Sequence, residues 1–189
     1  KQFIWEREKN RGVELGGKTI ALIGYGNTGK ALAKKISGFD VEVLAYDKYL
    51  SNYSDDYAQE SSMENIFKKA DIVSFHLPLN ADTMYLCDDL YISKFKKDVF
   101  VINTSRGKVI NLKKILFQIK SKKIQGICLD VFENEKPMSF SIHEKNMYSK
   151  LYSLDTVILS PHVAGWTKES KYKIANLLSN KIIHAIYKK

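Results

Sequence analysis

An α/β fold, built as a doubly wound parallel sheet, follows from two features of the 189-residue sequence. Short β-rich apolar runs alternate with helical patterns along most of the chain, which puts helices on both faces of a parallel sheet. Residues 18–47 read as strand, glycine turn, helix, strand and terminal acid. Such a unit receives the phosphates and ribose of a dinucleotide, and the arrangement is of the Rossmann type.

Within that unit, residues 19–23 are an apolar run that predicts a buried strand. Gly24-x-Gly26-x-x-Gly29 follows at once, then Ala31, Leu32, Ala33 and Ile36 at helical spacing. Gly24 permits the tight turn, Gly26 lets a pyrophosphate approach the backbone, and Gly29 lets helix and strand pack closely. The helix start offers unpaired N–H groups and a positive dipole end. The second apolar run, residues 41–46, ends at Asp47. An acid about 20 residues past the glycines can accept from both ribose hydroxyls. A 2′-phosphate would meet a like charge there, so NAD is expected rather than NADP. Lys30 and Lys48 work against that preference.

The other elements follow in order. Residues 1–10 predict a short connecting helix with Phe3 and Ile4 apolar, and residues 11–17 a turn-rich lead into the first strand. Residues 48–59 predict a polar, Tyr-rich loop with one short strand near Tyr57. Ser61 and Glu64 have capping-box spacing and open a helix to Lys69. Residues 71–76 predict a strand ending at His76, a structural or cleft-lining histidine. Residues 88–95 predict a helix, and residues 98–103 a buried strand that leads into Thr104-Ser105-Arg106-Gly107. Asn111 caps a helix over 112–122, with Ile115, Leu116 and Ile119 on one face. Residues 126–130 predict a strand. Residues 133–150 predict a polar connection with a turn of helix near His143. A last strand at 156–159 leads to Ser160-Pro161-His162. From Thr167 a helix runs nearly to the end, apolar at Ile174, Leu177, Leu178, Ile182, Ile183 and Ile186. The expectation is six or seven strands in one nucleotide-binding domain over 11–166, with connecting helices at 1–10 and 167–189.

Composition narrows the function. The formal charge of +9 invites a nucleic-acid reading, but only Arg7, Arg11 and Arg106 are arginines and the lysines are spread over solvated helix faces. No nucleic-acid partner is expected. Cys87 and Cys128 are far apart and form no metal-ligand pattern, so no metal is expected and a reducing, cytoplasmic setting is. No apolar run approaches the length of a membrane span. Residues 1–11 read as the interior of a longer protein.

The chemistry lies at the strand ends, which carry Gly24, Asp47, His76, Asn103, Asp130 and His162. Ligands of open α/β sheets bind outside the carboxyl ends of the strands, so these residues should converge on one cleft. Arg106 can grip a carboxylate bidentately and polarise the adjacent carbonyl. His162 can give or take a proton. Glu135, just past the Asp130 strand end, can favour the imidazolium and orient it. With a nicotinamide, these make a 2-keto acid reductase.

These residues resemble the NAD-binding domain of the D-isomer-specific 2-hydroxyacid dehydrogenases, and most closely their phosphoglycerate dehydrogenase-like branch, which serves serine biosynthesis. The resemblance spans nearly the whole chain through GKTIALIGYGNTGKALAKK, ADIVSFHLPLNADT, VINTSRGKVIN, GICLDVFENE and ILSPHVAGWT, in order. It implies that Arg106 binds substrate, that His162 is the proton donor and that Glu135 is its paired carboxylate. It implies cofactor contacts at Asn27 and Thr28 (pyrophosphate), Asp47 (ribose), Leu77, Thr104 and Ser105 (beside the nicotinamide), Asp130 (carboxamide) and Gly165. The family usually runs Glu directly into Pro, whereas Lys136 intervenes here, which leaves Glu133 as the alternative carboxylate.

The resemblance also implies a second, substrate-capping domain that this chain lacks, and a homodimer, to which the apolar stretches 84–95 and 112–119 could contribute. The rival reading is a non-catalytic NAD-sensing module of the corepressor kind.

Overall fold

The computed structural model describes residues 5–8 and 10–187. The strands are β1 (Thr19–Ile23), β2 (Glu42–Tyr46), β3 (Gln59–Glu60), β4 (Ile72–Phe75), β5 (Val99–Asn103), β6 (Ile124–Leu129) and β7 (Val157–Leu159). The helices are α1 (Asn27–Ile36), α2 (Met63–Lys69), α3 (Asp89–Ser93), α4 (Leu112–Lys120), α5 (Ile142–Tyr152) and α6 (Lys168–Tyr187). The strands form one sheet in the order β3-β2-β1-β4-β5-β6-β7, with every pairing parallel. This is the expected doubly wound sheet. The order reverses at β1, which has β2 on one side and β4 on the other.

Strand residues alternate between the two faces, as a period of two requires. Ala21, Ile23, Leu44, Val73, Phe75, Val99 and Val101 join the larger core, packed under α2 to α5 through Ile66, Ile92, Ile115, Ile119 and Leu151. Ile20, Leu22, Val43, Ala45 and Ile72 form the smaller core with Ala33 of α1. Beyond α1 this second face is thinly covered. Val13, Leu15, Phe100, Ile102, Cys128 and Ile158 line a cavity of about 640 Å³ there. Asp71, Asp98 and Asp155, which precede strands, also border it, so it lies toward the end of the sheet opposite the glycine turn.

Four local expectations change. The capping box at Ser61 and Glu64 gives way to Ser62, whose hydroxyl accepts from the Asn65 N–H. Residues 133–150 hold a helix of eleven residues, α5, with its own capping box between Ser141 and Glu144. That helix buries only Tyr148 and Leu151 and has little amphipathic pattern to betray it. Part of the helix expected over 1–10, including Phe3 and Ile4, lies outside the described residues; Arg7, Glu8 and Asn10 form turns. The apolar stretches assigned to dimer contact are largely used inside the domain. Tyr91, Ile92, Phe95, Leu112, Ile115 and Ile119 are buried, which leaves Met84, Tyr85, Leu90 and Phe117 exposed.

One core residue carries an avoidable cost. Tyr91 is buried against Phe67, Phe75 and Phe95, and its hydroxyl has no hydrogen-bond partner among the described residues. A buried unsatisfied donor costs about 1–3 kcal/mol, and phenylalanine keeps the ring. Tyr91→Phe is therefore expected to stabilise the domain by about 1 kcal/mol, read as a higher urea midpoint. A lower midpoint would show that the hydroxyl has a partner.

Candidate active site

The carboxyl ends of all the strands share one edge because every pairing is parallel. The nucleotide end is built around β1. Gly24 adopts φ +97°, a left-handed conformation, and a Cβ there would fall 2.4 Å from the His76 carbonyl oxygen and 3.1 Å from Leu77 Cδ2. The first turn after β1 is thus pressed against the start of the loop after β4. Gly29 is closed in the same way, since a Cβ would lie 2.3 Å from the Gly24 carbonyl oxygen. Gly26 differs: nothing lies within 4 Å of a Cβ built there. It begins α1 with no side-chain cap, and Asn27 and Thr28 are exposed. An uncapped helix start beside open space at a glycine fits a pyrophosphate.

Asp47 closes this end. One of its oxygens accepts from the Tyr25 N–H and the other from the Tyr49 N–H, both at 2.9 Å. The Tyr53 hydroxyl accepts from the Asp47 N–H and donates to the Ala45 carbonyl. Tyr25 itself points into the smaller core, and its hydroxyl donates to Asp55. Desolvation and the neighbouring Asp55 push that phenol well above its ordinary range. The Asp55 carboxyl is held low, chiefly by the Tyr57 N–H, against the opposing effect of its desolvation. Sequence reasoning missed this Tyr25–Asp55 tie. Its one local signal is an aromatic residue between the first two glycines.

His76 is half-buried, with Nε2 3.0 Å from the Ser74 hydroxyl. Burial lowers its imidazole from 6.5 to about 4. The unfolded chain therefore takes this proton near pH 6.5 and the folded chain only near pH 4. Between those values the unfolded state binds more protons, so this contribution is whole above pH 6.5 and is lost as pH falls toward 4. The loss is on the order of 2–3 kcal/mol. His76→Gln should flatten urea midpoints measured between pH 7 and 4.5. An unchanged slope would remove His76 as the cause.

The residues expected to be catalytic lie past the ends of β5, β6 and β7. Asn103, fully buried, accepts from the Ser105 N–H and hydroxyl and donates to the Arg106 carbonyl. This knits the turn that exposes Thr104 and Arg106. The Arg106 guanidinium donates to the Ser105 carbonyl and has no carboxylate partner among the described residues. Gly107 lies against the next loop so tightly that a Cβ would fall 1.9 Å from the Phe132 carbonyl carbon and oxygen.

Past β6, Glu135 places one carboxylate oxygen 2.9 Å from His162 Nδ1. A carboxylate only accepts, so this contact needs the proton on Nδ1, and Nε2 has no hydrogen-bond partner among the described residues. The other oxygen accepts from the Phe132 N–H. Glu133 stands elsewhere: it accepts from the Leu112 N–H at the start of α4 and from the Tyr85 hydroxyl. The intervening Lys136 is absorbed in a turn, where its N–H donates to the Asn134 side chain. The structure thus pairs Glu135, not Glu133, with the histidine.

Asp130 is buried and organises the His162 loop. It accepts from the Ser160 hydroxyl and from the Val163 and Ala164 N–H groups, while its carbonyl accepts from the His162 N–H. Desolvation would raise its carboxyl, but the bonds from Ser160, Ala164 and Val163 and the proximity of His162 outweigh it and hold the carboxyl low. His162 is held at φ +56° with its ring about half exposed. Gly165 is exposed with open space around it. Ser160 went unnoticed in the sequence, where a serine before proline reads only as a turn.

The sequence matches the family described as "D-isomer specific 2-hydroxyacid dehydrogenase, NAD binding domain" over residues 1–164. It is 34% identical over 182 residues to the hydroxypyruvate reductase of Thermotoga maritima, covering 96% of this chain and 57% of that protein. It is also 34% identical over 186 residues to the glyoxylate reductase of Thermofilum pendens, covering 95% and 52%. In structure it is similar to the NAD-complexed D-isomer specific 2-hydroxyacid dehydrogenase from Lactobacillus delbrueckii ssp. bulgaricus, with a TM-score of 0.83, 25% identity and coverage of 99% of this chain and 58% of that one. The chain spans about half the length of the curated relatives it matches. None of the relatives just named is a corepressor.

Proposed function

Because this chain belongs to the D-isomer specific 2-hydroxyacid dehydrogenase family and is an NAD-binding domain of it, we propose that it is the dinucleotide half of an enzyme that moves hydride between NAD(H) and a small 2-hydroxy or 2-keto acid. The observation that carries this is the 2.9 Å contact of His162 Nδ1 with Glu135 at the edge that also holds the open glycine turn. The nicotinamide, when bound, supplies or accepts the hydride.

The chain's own residues do the rest. The uncapped start of α1, with Gly26, Asn27 and Thr28, would seat the pyrophosphate, and Asp47 the ribose. Leu77, Thr104, Ser105, Asp130 and Gly165 would line the remainder of the cofactor site. Arg106, free of any carboxylate among the described residues, would take the substrate's carboxylate in a bidentate grip. His162 would hand the Nε2 proton to the substrate oxygen in reduction, while Glu135 holds the ring in place through Nδ1.

Several finer parts belong to the same reading. A substrate-capping domain would exclude water and complete the pocket. The helix α6 suits a connection to it, since Ile174, Leu177, Leu178 and Ile182 are all exposed. A homodimer is expected in solution, to be read by sedimentation. A cytoplasmic setting accords with two free, distant cysteines.

The test has two arms. Fluorescence titration of the purified 189-residue chain should show saturable NADH binding. The full-length protein should oxidise NADH with one or more of glyoxylate, hydroxypyruvate, pyruvate and 3-phosphohydroxypyruvate, and their relative rates rank the substrate. NADH binding with no turnover on any 2-keto acid would leave a binding module and end the enzyme reading.

A further inference from the structure

The strands flanking β1 send loops over both sides of the glycine turn, because the order runs β2-β1-β4. The Asp82 carboxylate joins them. Lys48, directly after Asp47, places Nζ 2.7 Å from Asp82 Oδ2 in the loop after β4. The Tyr49 hydroxyl donates to the same oxygen at 3.5 Å, and its ring lies 5.7 Å beneath the Lys48 ammonium. Asp82 is itself fixed, because its N–H donates to the Asn80 side chain, which also holds Thr83. The pair therefore bridges from the ribose-acid loop to the opposite wall of the nucleotide cleft.

The sequence left two lysines beside the ribose acid that ought to welcome a 2′-phosphate, and the structure gives each another partner. Lys30 lies over the Tyr25 ring, and its charge contributes to holding Asp55 low. Lys48 is drawn across the cleft by Asp82. We propose that Asp82 sharpens dinucleotide choice: by holding Lys48 on the far wall it denies a 2′-phosphate its counter-ion and leaves that phosphate facing only the Asp47 carboxylate. The hydrogen bond raises Lys48 and lowers Asp82, so the two partners agree on the sign of the interaction. Both groups are solvent-exposed, so the pair is weak and the preference it sets is graded and sensitive to salt. Asp47 excludes the phosphate by repulsion; Asp82 adds to this by removing an attraction.

This rests on the NAD-binding reading above, and binding rather than turnover tests it. The purified chain is titrated with NADH and with NADPH at low ionic strength, as wild type, Asp82→Asn and Asp82→Asn combined with Lys48→Met. Asp82→Asn is expected to tighten NADPH by about 3- to 10-fold, leave NADH within about 2-fold, and lose most of its gain at high salt. The double variant is expected to return NADPH binding to the wild-type level. If NADH binds and Asp82→Asn leaves NADPH unchanged, the inference fails while the NAD-binding reading stands. A gain that survives Lys48→Met also overturns it, because removal of the acid alone would then suffice. Failure of the wild-type chain to bind NADH would sink both.

Discussion

Replacing His162 by asparagine in the full-length protein should lower 2-keto acid reduction by about 10²–10⁴-fold and leave NADH affinity within about 2-fold. Asparagine is the replacement of choice because residue 162 has φ +56°, which asparagine tolerates and alanine does not. The backbone bond from residue 162 to the Asp130 carbonyl should survive, so the loop stays in place. Only the exchangeable proton is lost. Glu135→Gln should give a smaller loss, because the side chain still fills the space beside the ring but no longer offers the carboxylate oxygen that holds Nδ1 at 2.9 Å. A His162→Asn enzyme with more than a tenth of wild-type turnover would remove His162 from the proton transfer. Wild-type turnover in Glu135→Gln would remove Glu135 from the reaction.

Gly107→Ala should be the most damaging single methyl group added to the site. Its Cβ would fall 1.9 Å from the Phe132 carbonyl and 2.6 Å from the Glu133 nitrogen, and both are backbone atoms that cannot rotate away. The loops after β5 and β6 must then separate. One loop carries Arg106 and the other Glu135, so destabilisation and loss of reduction should arrive together. The expected cost is about 3 kcal/mol or more, above the usual range for overpacking because neither side can yield by a rotamer change. The control is Gly38→Ala, where nothing lies within 4 Å of the new Cβ; it should stay within about 0.5 kcal/mol of wild type. Equal urea midpoints for the two variants would mean that the loops are not in close contact in solution.

The two substitutions separate the parts of the site. His162→Asn removes chemistry and keeps geometry, whereas Gly107→Ala keeps every functional group and displaces two of them. NADH binding discriminates further. The nucleotide end is built on β1 and β2, two and three places away from β5 in the sheet order. Folded Gly107→Ala protein should therefore still bind NADH, more weakly to the extent that Thr104 and Ser105 move with the loop.

What the sequence determined by itself was whatever depends on near neighbours. The strand, the glycine turn and the helix after it follow from side-chain period and from the steric needs of Gly24 and Gly29, and β1 and α1 appear where those needs put them. The Asn111 cap is equally local, with the acceptor three residues from its donor. Tertiary structure alone decided which groups meet. Motif position favours Glu135 over Glu133, but the inserted Lys136 leaves both open, and the path of the loop after β6 puts one beside His162, 27 residues on, and the other at the start of α4. Asp130 reads as a strand-end acid, yet its partners Ser160, Val163 and Ala164 lie 30 or more residues away. Helix α5 was hidden because its anchors are a local cap and two buried side chains rather than a repeating face. Lys48 reads as a cation beside the ribose acid, until the reversal of strand order at β1 brings Asp82 within reach of it. Period and turn chemistry act over a few residues and are written in the text; a hydrogen bond needs two atoms within about 3 Å, and the packing of the whole sheet sets that distance.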